Sequence, residues 1–319
     1  MKPEVGFVGM RDILADVREI LDIKDAGSLT INPRSDLVSG AHGRSFFEAS
    51  AKEARFLVKV GARWKGFSHD LARALSELTL PCYRAPRFYG RIDTIEVWEY
   101  VTGTSKSLRA YTPAEISALL QSIAAVEASL DPPDLPQTFW MKPVAKRLLA
   151  AAGTSKGLRR SFWIKPVARR LLAAAETGEG LRPFVPQIRK FALWESRLLQ
   201  QTFVPCLTHN DLHSHNIILT GAQPCLIDWE SASMGPPGAT LRVFSDWPSS
   251  QKRGIATRYA AYRNRFGFPV DIPDVMFAMH AHQMFWAFHT AARQNKADRF
   301  RQGWKHFGEI LKSIGRSIE

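Results

Sequence analysis

Residues 207–230 read LTHNDLHSHNIILTGAQPCLIDWE, and no other stretch constrains the chain as tightly. One polar turn carries His209, Asp211, His213 and His215; a second ends on Asp228 and Glu230. Apolar runs at 216–219 and 224–227 separate them and read as short strands. Polar groups set at the ends of buried strands are held rigidly, as a reacting site requires. Asp211 precedes Asn216 by five residues, and Asn216 precedes Asp228 by twelve.

That spacing fits phosphoryl transfer from ATP. One carboxylate orients or deprotonates the attacking hydroxyl, while a second carboxylate and an amide oxygen hold Mg2+ against the phosphates. Mg2+ takes hard oxygen ligands and keeps several waters, so few protein groups suffice. His209 precedes the loop and is expected to brace it by hydrogen bonding. Two competing readings are an Asp that caps its own turn and a transition-metal site built from His209, His213, His215 and Asp211. Loop spacings of two and four residues support such a site weakly, and Mg2+ chemistry is the expectation.

The 319 residues are 45% hydrophobic and 23% charged, which suits a globular protein with room for two lobes. No apolar run approaches ~18 residues, so no membrane span is expected. The start of the chain lacks the uninterrupted apolar core of a secretion signal, and a cytoplasmic protein is the expectation. Cys82, Cys206 and Cys225 show no CxxC or Cys/His spacing, which argues against a disulfide framework or a zinc site. The net charge of +13 is uneven. Residues 139–183 hold ten Lys/Arg against two Asp/Glu, and residues 241–319 thirteen against six. Basic regions of this kind bear on partners.

Along the chain, a helix is expected at 10–22 and strands at 29–31, 36–38, 45–47 and 54–60. The turn 39–43 contains Gly40 and Gly43. It is either a hairpin or a loop whose backbone N–H groups cover phosphate. Lys59 lies in the apolar run 54–60, either on an exposed strand face or against phosphate. A glycine turn followed about sixteen residues later by a strand lysine matches the order of a kinase small lobe. A helix at 68–79 and strands at 88–91 and 94–101 follow. The last strand ends at Glu99, Tyr100 and Val101, whose backbone is either an ordinary strand end or an edge for adenine.

Thr112, Pro113 and Glu115 open a helix that runs to about 130. Residues 139–152 then recur at 162–175, an offset of 23. Two copies are too few for a solenoid. This duplicated basic helix, within 139–183, is either a solvated face or a peripheral contact for an anionic surface. Further helices are expected at 183–201, 250–265, 273–294 and 296–316, after a loop reading SASMGPPGATL.

HNDLHSHNIIL followed by CLIDWE resembles the aminoglycoside phosphotransferase and choline kinase superfamily. The resemblance implies an α+β, two-lobed, protein-kinase-like fold. A small, mainly antiparallel β lobe for ATP would span 1–101, and a larger, mostly helical catalytic lobe 102–319. It further implies Asp211 as catalytic base, Asn216 and Asp228 as Mg2+ ligands, and Lys59 on the ATP phosphates beneath Gly40 and Gly43. Glu99, Tyr100 and Val101 would form the adenine hinge. Three departures stand out. The glycine turn is sparse, with His42 inside it; Asp70 and Glu77 both qualify as the carboxylate paired with Lys59; and Thr240 stands where the family carries a chiefly structural aspartate.

The acceptor is less determined. His282, Trp286, His289 and Arg293 share one face of the helix 273–294. Aromatic and cationic groups suit a sugar ring or an anionic acceptor, or else pack with snorkelling ends. The basic C-terminal region argues against a cationic acceptor. The expected activity is ATP- and Mg2+-dependent phosphorylation of a small-molecule hydroxyl. The alternative is a nucleotide-binding scaffold that uses its basic helices for contact. Nucleic acid is disfavoured as a partner, because Trp140 and Trp163 precede the basic residues instead of interleaving with them.

Overall fold

A computed structural model describes residues 10–25, 28–34, 45–61, 69–78, 80, 82–129, 167–199, 206–221, 223–229 and 232–313. The chain divides into two compact units, residues 1–105 with 217–230 and residues 106–216 with 231–319. The expected strand at 36–38, the turn with Gly40 and Gly43, and residues 139–166 of the repeat lie outside the described residues.

The first unit opens with α1 (Met10–Leu21), whose Ile13 and Val17 stand four apart and face inward together. A five-stranded antiparallel sheet follows: β1 (Leu29–Pro33), β2 (Ser45–Ala51), β3 (Ala54–Val60), β4 (Phe88–Ile92) and β5 (Ile95–Glu99), in the order β1-β2-β3-β5-β4. Period-two alternation puts Phe56, Val58 and Val60 of β3 in one core with Ala49, Ile95, Val97 and the inner face of α1. Lys59 falls on the other face of β3, directly opposite Glu96 of β5. Between β3 and β4 lies α2 (His69–Glu77).

The second unit begins with α3 (Pro113–Ser129), capped as its sequence predicts. The Thr112 Oγ1 accepts the Glu115 N–H at 3.2 Å, and the Glu115 carboxylate accepts the Thr112 N–H at 2.7 Å. The second copy of the repeat supplies α4 (Ala168–Thr177), which exposes Arg169 and Arg170 and buries Leu171 and Ala175. It packs beside α5 (Val185–Leu199), after which β6 (Cys206–Thr208) leads into the central motif.

The chain then returns to the first unit as the antiparallel pair β7 (Ile217–Thr220) and β8 (Gln223–Leu226). The expected boundary at 101/102 assigned the pair to the second lobe, whereas the compact unit keeps it with residues 1–105. The reason is local: Thr104 and Leu219 exchange two backbone hydrogen bonds at 3.1 and 2.9 Å, and Arg84 bridges to Cys225. Gly103 permits the approach, since a Cβ there would collide with the Leu219 carbonyl. Asn216 itself sits in a 3-10 turn at Ser214–Asn216 instead of opening the strand.

The stretch expected as a plain loop after the motif holds β9 (Ser233–Gly235), paired with β6, and a 3-10 helix at Ala239–Phe244. Three helices complete the second unit: α6 (Ser249–Arg265), α7 (Ile272–Gln294) and α8 (Ala297–Ser313). The apolar faces of α7 and α8 join those of α4 and α5 in a core around Phe191, Phe285, Phe288, Phe300 and Phe307. Among the described residues no helix is long and apolar enough to cross a membrane.

Candidate active site

In the second unit, β6 ends at a fully buried His209, whose carbonyl accepts the Asp211 N–H at 2.8 Å. Asn210, between them, adopts φ 54°, a left-handed conformation that a non-glycine residue takes at an energetic cost. The Asp211 side chain is about half exposed at 49%. Its backbone carbonyl accepts the Asn216 Nδ2–H at 2.9 Å, closing the loop on itself. That bond commits the amide nitrogen of Asn216 and leaves its Oδ1 as the side chain's acceptor atom. Leu212 and Asn216 are buried, whereas His213 and His215 are exposed.

Arg242, on the 3-10 helix after β9, reaches Asp211 Oδ1 at 3.1 Å and approaches His282 Nδ1 at 3.5 Å. Burial pushes the Arg242 guanidinium below its ordinary value, and Asp211 partly offsets this. His282 is pushed down to about 3, first by burial and then by Arg242, so the imidazole is neutral near pH 7.

Beneath the loop lies a buried carboxylate, Glu127 of α3. Its Oε1 accepts the Thr240 hydroxyl at 2.6 Å, and its Oε2 accepts the Gly238 N–H at 2.9 Å and the Tyr259 hydroxyl. Thr240 Oγ1 in turn accepts the His209 N–H at 3.2 Å. Gly238 adopts φ 86°, which favours glycine. Burial raises the Glu127 carboxyl above the usual carboxylate range, while the bonds from Thr240, Tyr259 and Gly238 lower it.

In the first unit, Lys59 Nζ donates to Asp228 Oδ1 at 3.3 Å and lies 5.4 Å from the centre of the Trp98 ring. Asp228 follows β8 with φ 62°, and the indole N–H of the adjoining Trp229 bonds to the Leu226 carbonyl at 3.0 Å. Glu77 is exposed, and the Asp70 side chain lies outside the described residues. Of the three expected adenine-edge residues, two already spend their N–H groups: Glu99 on the Arg87 carbonyl at 2.8 Å, Tyr100 on the Arg55 carbonyl at 3.2 Å. The Glu99 carboxylate binds Arg84 and accepts the Arg87 N–H at 3.0 Å.

Compared with known proteins, residues 37–271 match the phosphotransferase enzyme family, about three quarters of the chain. The chain belongs to that family. Among solved structures, choline kinase from Cryptosporidium parvum Iowa II shares 14% identity at a TM-score of 0.59, with 96% of each chain covered. Ethanolamine kinase from Plasmodium vivax shares 13% at 0.55, over 93% of this chain and 84% of that one. The streptomycin–ATP–APH(2")-IIa ternary complex shares 16% at 0.53, over 91% and 97%. At such identities the likeness speaks for the fold, which is the protein-kinase-like α+β fold expected. No curated protein matches by sequence.

The α7 face of this phosphotransferase carries all four expected acceptor residues. His282 lies beside Arg242, exposed Trp286 lies 5.0 Å from the Arg299 guanidinium, and His289 Nδ1 lies 3.3 Å from Arg170. Arg293 is exposed one turn further on. Glu127 and Arg242 escaped the sequence reading. A lone Glu within the apolar face of α3 was the available signal for the first; nothing local marks the second.

The amide oxygen of Asn216 and the carboxylate of Asp228 are each, taken singly, hard donors of the kind Mg2+ takes. The exposed His213 and His215 do not fit a transition-metal cage. Among the described residues no three His, Cys, Asp or Glu gather to hold a metal.

Proposed function

We propose that this phosphotransferase moves the γ-phosphoryl group of ATP to a hydroxyl of a small molecule. The observation that carries the reading is Asp211: a half-exposed carboxylate on a self-bonded loop, with one oxygen held by a guanidinium. As the acceptor oxygen bonds to the γ-phosphorus, Asp211 takes its proton. The bond from that phosphorus to the β–γ bridging oxygen breaks, and ADP leaves with the electron pair. Mg2+, when bound, neutralises charge on the β and γ oxygens. Asn216 Oδ1 and Asp228 would be its protein ligands, and Lys59 would steer the phosphates. Of the three adenine-edge positions, Val101 is the one whose N–H is not claimed by the Arg87 or Arg55 carbonyl.

The α7 face receives the acceptor. Arg242, Arg299 and Arg170 attend it, and the imidazole of His282 is neutral, which suits a neutral or anionic molecule with a ring to lie on Trp286. Choline, ethanolamine and streptomycin are cations, and this face would repel them.

An ADP-release screen over sugars, sugar phosphates, amino alcohols, aminoglycosides and nucleosides tests the reading, with Asp211→Asn as control. Loss of about 10²–10⁴-fold in kcat with an unchanged melting profile is expected for the variant. Wild-type turnover by Asp211→Asn would remove Asp211 from the chemistry.

A further inference from the structure

One support of the loop that carries Asp211 is a threonine hydroxyl. The Thr240 hydroxyl has one hydrogen, and Glu127 Oε1 takes it at 2.6 Å. Thr240 Oγ1 is therefore obliged to accept from the His209 N–H, as it does at 3.2 Å. The His209 carbonyl then sets the Asp211 N–H, and the Asp211 carbonyl sets Asn216. All members from Glu127 to His209 are at least 98% buried, so water cannot substitute for a missing partner.

We propose that Glu127 is a positioning residue for Asp211, acting from α3 through Thr240 on the backbone of the loop. Its claim on the reaction rests on the kinase reading above; its claim on the loop does not. The polarity of the chain is the core of the matter. A carboxylate accepts at both oxygens, and here both are used: Oε1 by Thr240, Oε2 by Gly238 and Tyr259. A glutamine cannot reproduce this. With its NH2 toward Thr240 the hydroxyl proton loses its acceptor; with its NH2 toward Gly238 two N–H donors collide. Either orientation strands one buried donor.

The same logic gives a rescue. In Glu127→Gln with Thr240→Asp, the new aspartate accepts from both His209 N–H and the glutamine NH2. The glutamine oxygen then serves Gly238 and Tyr259. Every donor regains an acceptor, with the carboxylate moved from helix to loop. Thr240→Asp alone sets two carboxylates against each other in a buried site and is expected to be worse than either other variant.

Three measurements on the full chain decide it: amide hydrogen exchange over 207–216, ADP release, and melting temperature. Glu127→Gln should speed exchange in that loop and lower kcat by about tenfold each, the effect of one stranded buried donor. The KM for ATP should stay within about twofold, because the phosphate-binding Lys59 is untouched. The double variant should recover both readings. Unchanged loop exchange in Glu127→Gln overturns the proposal. So does a double variant that regains its melting temperature while ADP release stays low, which would mark a merely structural carboxylate. If the wild-type protein releases no ADP with any acceptor, the kinase reading fails alone, and loop exchange still decides whether Glu127 sets Asp211.

Discussion

Arg242 places a positive charge 3.1 Å from the candidate base. It is mostly buried, and burial already works against its charge, so the pairing with Asp211 is what makes the position tenable. The guanidinium holds the Asp211 carboxylate in one orientation and, under the proposed function, would meet an acidic group on the acceptor. Arg242→Ala should therefore lower kcat by about 10²-fold, the usual cost of a misplaced reacting group, and raise the acceptor KM while the ATP KM holds. Steady-state kinetics with the acceptor and ATP varied separately would check this; a change confined to the ATP KM would contradict it. Asp211, Asn216 and Asp228 could be singled out as candidates from the sequence because their spacing is short and their residue types narrow. Glu127 and Arg242 could not. Glu127 meets Thr240 across 113 residues and Arg242 meets Asp211 across 31, and no local pattern encodes such pairings. Lys59 and Asp228 are 169 residues apart, yet each was recognisable from its own flanking strand.

Elements with strong periodicity matched expectation: α1, α3 with its capping box, and the strands that alternate around Val58 and Val97. The misses came where tertiary pairing overrides local pattern. β9 is only three residues, and pairing with β6 creates it. A buried histidine pair ties α7 to α8. His280 and His306 approach at 3.0 Å through their Nδ1 atoms, so one donates and the other accepts. Burial pushes their pKa values down to about 3 and about 4. Lys252 and Lys305 face the pair and add to the depression, whereas Glu309, and Asp246 beside His306, oppose it. The unfolded chain would bind protons at both sites below about pH 6.5, where the folded chain does not. The stability this pair lends is thus present above that pH and lost as pH falls toward 4 and then 3. Melting temperature should decline over that window, and a variant with leucine at both positions should show a shallower decline. An identical slope in the two proteins would exclude the pair as the cause.

At the scale of the molecule, the chain enters the second unit at 105/106, returns at 216/217 and leaves again at 230/231. A fragment ending at 105 would lack β7 and β8. The backbone of Thr104 would then lose Leu219, and Arg84 would lose its bridge to Cys225. Such a fragment should expose apolar surface and aggregate, whereas residues 217–230 joined to it through a flexible linker should restore a cooperative melt. Circular dichroism on heating would separate the two; a cooperative transition in the shorter fragment would refute the assignment. Sequence alone put the boundary at 101/102 because strand patterns end there. The return of the chain is invisible to any window shorter than the gap it spans.

This interleaving also dictates how the enzyme could be recombined. Under the roles proposed, Lys59 and Asp228 travel in one block, while Asp211, Asn216, Arg242 and the α7 face travel in the other. A single crossover anywhere between residues 59 and 293 would separate partners that belong together. A chimera meant to acquire a relative's acceptor preference and keep its own nucleotide handling would need three junctions, at 105/106, 216/217 and 230/231. The middle one falls directly after Asn216, so the donor sequence would bring that metal ligand with it while Asp228 stayed behind.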